Sequence, residues 1–199
     1  MADKPKPAVG LRERKKAKLM ANVQMHALRL FQEQGYTATT VEQIAEAAEI
    51  SPSTFFRYFS SKEDVMITDN YDPVLIAAFE AQPASLSALA AVRHAMVSSA
   101  RELSADEVKT MRERIQLIAS VPELRAATVH NQTQMIHLLS DMVGKRVGRN
   151  PDDLAITTLA GAVVGVNIAV MFHYADNPTP DFAQLLDDAL TKLGEGLPV

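Results

Sequence analysis

The chain has 199 residues, 47 % of them hydrophobic and 22 % charged, enough to bury a core without disulfides or a structural metal. Cysteine is absent, which excludes disulfides, thiolate catalysis and cysteine-ligated zinc and fits a cytoplasmic protein. The net charge of −4 is unevenly spread: residues 1–62 carry ten Lys/Arg against six Asp/Glu (net +4), and residues 63–199 carry ten against eighteen (net −8). A basic end on an acidic remainder suits a nucleic-acid-binding head, although a solvated basic tail would look the same.

Residues 1–9, with Pro5 and Pro7 and no apolar run, read as a disordered basic arm and not a secretory leader. A long helix is predicted from residue 10 to about Gln34, with Leu19, Val23, Ala27, Leu30 and Phe31 on one face and Gly35 as its left-handed stop. Thr40 and Gln43 form a capping box for a helix of about two turns that buries Val41, Ile44, Ala45 and Ala48. Ser51-Pro52 caps a second short helix reaching about Phe59, and Ser60 with Glu63 caps a third running to about Glu80.

Beyond a loop at 81–85, helices are expected at about 86–102, 105–119 and 122–147, with Ser104/Glu107 and Ser120/Glu123 as start signals. Asn150-Pro151 and Thr179-Pro180 announce two more, at 151–175 and 180–195. No segment alternates apolar and polar residues as a strand would. The fold class is therefore all-α, nine helices in two domains: a helix-turn-helix head over 10–62 and a helical body over 63–199.

Leu154 to Ala175 carries no Asp, Glu, Lys or Arg and is about long enough to cross a bilayer. Thr157, Thr158, Asn167 and His173 interrupt it, and Asp152, Asp153 and Asp176 flank it in place of basic anchors. A helix buried on all sides is the expectation, with no membrane partner.

The tight turn Glu49-Ile50-Ser51 between two short helices is the feature most suggestive of function. Such a pair buries little surface alone and needs the 10–34 helix across it. Phe55 and Phe59 can plug that junction. Ser53, Thr54, Phe56, Arg57 and Tyr58 remain, offering hydroxyls, a guanidinium and aromatic edges at the start of a short helix, which suits entry into a major groove. Lys62 and the run Arg12, Arg14, Lys15, Lys16 and Lys18 can add salt-sensitive phosphate contacts. A three-helix subdomain with a polar outer face accounts for the spacing equally well.

The elements Ala27-Leu-Arg-Leu-Phe31, Gly35-Tyr36, Thr39-Thr40-Val41-Glu-Gln-Ile44-Ala45 and Ser51-Pro-Ser-Thr54-Phe-Phe-Arg-Tyr58-Phe59-Ser-Ser-Lys62-Glu63 closely resemble the DNA-binding head of the TetR family of bacterial regulators. The resemblance spans roughly residues 11–66. It implies that the helix from about 52 to 58 is the recognition helix, that Ser53, Thr54, Phe56, Arg57 and Tyr58 form its DNA face, and that Thr40 and Lys62 hold phosphates. The exposed N–H groups at the helix starts near Thr40 and Ser51, and Lys15 and Lys18 of the basic run, offer further phosphate contacts by their own chemistry. Two positions depart from the family pattern: Phe56 stands where tyrosine is commonest, and Glu49 where glycine is usual. If the backbone there is left-handed, Glu49 costs roughly 1 kcal/mol.

For the body, the resemblance implies a small-molecule effector and a homodimer formed by the last two helices, reading an inverted-repeat operator. Gly161 and Gly165 would allow close helix approach, and Phe182, Leu186 and Leu190 lie on an apolar stripe; the alternative is that both helices fold onto their own core. Met96, Met111, Met135 and Met142 could line an adaptable apolar effector site or simply fill core. The block Val121-Pro122-Glu123-Leu124-Arg125 and the Gly161–Gly165 helix are similar to family members that sense fatty acyl thioesters. His94, His130, His137 and His173 show no ligand spacing for a metal, and no catalytic constellation or cofactor motif stands out. The expectation is a ligand-responsive repressor; the competing reading is a helical ligand-binding or catalytic protein whose head docks a protein.

Overall fold

The computed structural model describes residues 11–68, 72–177 and 181–198. The expected arm at 1–9 and the Thr179-Pro180 signal lie outside them, as do the side chains of Arg12, Arg14 and His130. Ten α-helices and no strand occur among the described residues, in two compact units, one ending at Asn70 and the other beginning at Tyr71.

The first unit holds α1 (Leu11–Gln34), α2 (Val41–Ala47), α3 (Pro52–Phe56) and α4 (Lys62–Ile67). α1 packs against α2 and α4, and α2 against α3. Val23, Ala27 and Phe31 are buried as their spacing predicts, joined by Met20 and Leu28, whereas Leu30 is only half-buried. Ile44, Ala45, Ala48, Phe55 and Phe59 complete the junction. These apolar contacts hold two helices too short to persist alone.

The capping chemistry is specific. Thr40 accepts from Gln43 N while Gln43 Oε1 accepts from Thr40 N, the predicted reciprocal box. Ser51 Oγ accepts from Thr54 N at 3.1 Å, with Pro52 in the first turn. α4 corrects the reading of its start: Ser61, not Ser60, is the cap, and the Asp64 carboxylate, not Glu63, accepts from Ser60 N at 2.7 Å.

The helix predicted over 61–80 is in fact two, α4 and α5 (Asp72–Glu80). Thr68 is extended, with its hydroxyl on Asp64 Oδ1 at 2.6 Å, and Pro73 sits in the first turn of α5. A proline at 73 inside one continuous helix would forfeit a hydrogen bond and clash with the preceding turn. The first compact unit accordingly includes α4.

The second unit continues with α6 (Ala88–Arg101), α7 (Ala105–Ser120), α8 (Pro122–Val147), α9 (Leu154–Asp176) and α10 (Phe182–Gly194). α6 packs on α5 and α10, and α9 packs on α7, α8 and α10. The main core joins Leu75, Phe79, Val92, Leu139, Val143 and Val163, among others. Ser104 and Glu107 form their predicted box. Ser120 does not cap α8: its hydroxyl donates to Leu117 O, and Val121 precedes Pro122 without a side-chain cap. Asn150-Pro151 forms a turn, so α9 starts at Leu154 behind the Asp153 cap.

α8 ends at Gly148, where φ is +67°. One turn earlier, a Cβ on Gly144 would stand 2.9 Å from Arg149 O and 3.2 Å from Pro151, so only glycine lets the chain fold back that closely. Arg146 fastens this end of α8: its guanidinium donates to the carbonyls of Gln82, Pro83 and Leu86 and lies over the Phe79 ring.

α9 departs from the expectation of burial on all sides. It is long and apolar enough to cross a membrane by length and composition. It nevertheless buries one side, through Ile156, Ala160, Val163, Val164, Val170 and Tyr174, and leaves Leu154, Ala155, Thr158, Gly165 and Ala169 exposed.

Candidate nucleic-acid interface

Phe55 and Phe59 are wholly buried, and their burial fixes which side of α3 faces outward. Ser51, Ser53, Phe56 and Arg57 are exposed there, with Thr54 and Tyr58 half-buried beside them. Phe56 is 55 % exposed and meets Phe55 edge-on, 5.4 Å between centroids. That single edge contact leaves more than half of an apolar ring facing outward. The Arg57 guanidinium lies 5.2 Å from the Tyr58 ring centroid and forms no ion pair among the described residues, so its donor edge is available.

The hydroxyls are organised. Ser51 Oγ lies 2.9 Å from both Ser53 Oγ and Thr54 Oγ1 while it caps α3. Ser51 is thus engaged mainly in shaping the helix start, and Ser53 and Thr54 present the outward hydroxyls. Thr40 is exposed at the start of α2, and Lys15 and Lys18 are exposed along α1.

Lys62 is engaged within its own unit. Its ammonium donates to Tyr36 O at 2.9 Å and Thr39 O at 3.1 Å and sits 4.1 Å from the Tyr36 ring centroid. Two of its three donors therefore tie down the loop before Thr40, which makes it a strut for the interface before it is a phosphate contact. Two supports went unnoticed in the sequence. The Thr39 hydroxyl is buried and donates to Gly35 O at 2.9 Å, and the Tyr36 hydroxyl donates to Glu63. Burial works to raise the Glu63 carboxyl. The hydrogen bonds from Tyr36, Ser61 and its own backbone, together with the Lys62 charge, outweigh that and hold it below the ordinary value.

Glu49 is in the left-handed region, with φ of +56°. Its N–H reaches Glu46 O and that of Ile50 reaches Ala45 O, the paired bonds that close a helix around a left-handed residue. The tight turn between α2 and α3 therefore exists at the cost of a strained non-glycine residue.

In the body, Met96 and Met135 are half-buried against the main core, Met111 is half-buried on α7, and Met142 is buried within the core. Met142 thus packs within the core. Leu186 and Leu190, expected at a dimer interface, are 2 % and 1 % exposed within their own chain, because α10 turns that stripe onto α6 and α9. Phe182 is half-buried, edge-on to Tyr174 at 5.3 Å. Gly161 and Gly165 have nothing within 4 Å of where a Cβ would stand. His94, His137 and His173 are spread over α6, α8 and α9, and no group of three metal-ligating side chains comes together among the described residues.

A crossed three-helix unit whose last short helix keeps its polar and aromatic side uncovered is a helix-turn-helix DNA-binding head, here on a chain with an all-helical second unit. Residues 26–67 match the family profile described as bacterial regulatory proteins, tetR family, and residues 86–198 match that of the MftR C-terminal domain. The chain is 36 % identical to the HTH-type transcriptional regulator TcmR of Streptomyces glaucescens, over 72 % of this chain and 67 % of that protein. It is 26 % identical to the mycofactocin biosynthesis transcriptional regulator MftR of Mycobacterium tuberculosis, over 86 % and 87 %. In fold it resembles Thermus thermophilus FadR, solved with lauroyl-CoA, with a TM-score of 0.54, 23 % identity and coverage of 90 % and 95 %. The chain belongs to the TetR family, whose members are DNA-binding transcriptional regulators and not enzymes.

Proposed function

We propose that the protein is a repressor that binds an inverted-repeat operator as a homodimer in the cytoplasm and is released by an apolar, acyl-type small molecule. The observation that carries the DNA half is the outward side of α3, with Phe56 exposed and Arg57 lacking an acidic partner among the described residues. Ser53, Thr54, Phe56, Arg57 and Tyr58 read the groove. Lys15, Lys18 and Thr40 meet phosphates, with Ser51 and Lys62 holding the backbone that presents them.

The open side of α9 supports the dimer. A stripe of Leu154, Thr158, Gly165 and Ala169 is exposed in a helix without a charged residue before Asp176. The bare Cα atoms of Gly161 and Gly165 let a second helix approach closely. Phe182 can border that contact, but Leu186 and Leu190 are already spent on the chain's own core. For the effector, the half-buried Met96, Met111 and Met135 supply adaptable apolar surface, and the lauroyl-CoA bound to the fold relative suggests the first compound to try.

One selection and one titration test this reading. Selection from fragmented genomic DNA should return a palindromic sequence bound with a steep salt dependence. Adding lauroyl-CoA to that complex while following fluorescence anisotropy should release the DNA. Binding without sequence preference would favour a protein-docking head, and DNA affinity unchanged by any ligand that binds the body would reject the induction step.

A further inference from the structure

The side of α7 that packs on α8 and α9 carries Val108, Met111, Arg112, Ile115 and Ile118, spaced i, i+3, i+4, i+7 and i+10. Ile115 and Ile118 are buried and Val108 and Met111 half-buried, so a leucine would be expected at 112. An arginine stands there, itself half-buried. Its Nε donates to the Tyr174 hydroxyl at 3.0 Å, and its Cζ lies 5.2 Å from that ring's centroid. Tyr174 is wholly buried and braced by Phe182. Among the described residues Arg112 makes no other hydrogen bond and no ion pair.

The one bond from Nε satisfies the buried Tyr174 hydroxyl, but it gives the charge itself no counter-charge among the described residues. Tyr174 uses only the Nε donor and fixes the guanidinium plane. The two η nitrogens are left with four N–H groups in the planar fork that matches a carboxylate or phosphate. Met111, one residue earlier, places adaptable apolar surface alongside.

We propose that Arg112, oriented by Tyr174, receives the anionic group of an amphiphilic ligand, a carboxylate or phosphate carried on an apolar chain. This deepens the effector reading and rests on it for the biological role, but not for the binding itself. Arg112 contacts the ligand, and Tyr174 is a positioning residue.

The test measures binding by calorimetry on the full chain without DNA, using laurate, lauroyl-CoA and 1-dodecanol. Wild-type protein should prefer an anionic probe over the alcohol, and Arg112→Gln should weaken that probe by about 10-fold or more while leaving dodecanol unchanged. Arg112→Lys should restore part of the loss, and Tyr174→Phe should give an intermediate loss confined to the anion. The double variant Arg112→Leu/Tyr174→Phe, which removes both partners of the bond and leaves no buried hydroxyl unsatisfied, should melt no lower than wild type. A laurate preference identifies the carboxylate as the recognised group, and a preference for lauroyl-CoA alone identifies the phosphates. The proposal is overturned if no probe binds, if laurate, lauroyl-CoA and dodecanol bind alike, or if Arg112→Gln keeps the preference. DNA release, measured separately, tells the two claims apart. Anion binding through Arg112 with DNA affinity unchanged sinks the effector reading alone; release by every probe, unaltered in Arg112→Gln, sinks the Arg112 assignment alone.

Discussion

Glu49 holds the turn between α2 and α3 at φ +56°, where a side chain crowds its own carbonyl. Glu49→Gly should remove that strain against a smaller loss from the freer unfolded chain, a net gain of about 0.5–1 kcal/mol. Slower amide hydrogen exchange across α2 and α3 would report it; exchange as fast as in wild type would show that the strain is already relieved. Glu63 supplies a pH dependence at the same scale. Its carboxyl is held below the ordinary value in the folded head, so its contribution is complete above the ordinary carboxylate range and is lost as pH falls through its lowered pKa. Acid melts from pH 6 downward should therefore show a shallower loss for Glu63→Gln than for wild type. Glu49's left-handed backbone was foreseeable, because glycine is usual at that position in the family the head resembles. Lys62 was not: sequence gives its charge but not the Tyr36 and Thr39 carbonyls that occupy it.

At the scale of elements, local chemistry was legible wherever a cap or breaker acted alone. The Thr40/Gln43 and Ser104/Glu107 boxes, the Ser51-Pro52 start and the Gly35 stop all stand as their residues dictate. The misreadings came where two signals competed. Ser60 was expected to cap α4, but Ser61 Oγ accepts from Asp64 N while the Asp64 carboxylate accepts from Ser60 N. The helix expected from Ser60 to about Glu80 runs through Pro73, whose ring and missing N–H belong at a helix start, and the chain divides there into α4 and α5. Gly144 makes a further prediction: Gly144→Ala would drive a Cβ into the Arg149 carbonyl, so the body should lose about 1–3 kcal/mol in urea unfolding. A loss below about 0.5 kcal/mol would mean that the turn after α8 can shift aside.

At the scale of the whole molecule, α9 shows why the sequence ran out. A helix without charges reads the same whether its own chain or a second copy covers its far side, and only the structure shows that one side is left open. The stripe of α10 was equally ambiguous; Leu186 and Leu190 went to the intramolecular core. A Cβ at Gly165 would meet nothing within 4 Å, so with Gly165→Leu the single chain should keep its helix content and melting behaviour while the proposed dimer dissociates at higher concentration in sedimentation equilibrium. The recognition of Arg112 had a signal in the sequence, an arginine inside an apolar stripe, but its lack of a counter-charge became visible only when its neighbours were in place.

The measurement closest to the central claim is the pattern of DNA bound by wild type and by Arg57→Ala in selection from fragmented genomic DNA. Wild type should enrich two half-sites inverted about a centre and spaced near one helical turn, roughly 34–36 Å. Arg57→Ala should bind the same fragments with relaxed preference at one position in each half. Enrichment of no common sequence, or an Arg57→Ala protein indistinguishable from wild type, would show that the uncovered side of α3 serves something other than reading DNA.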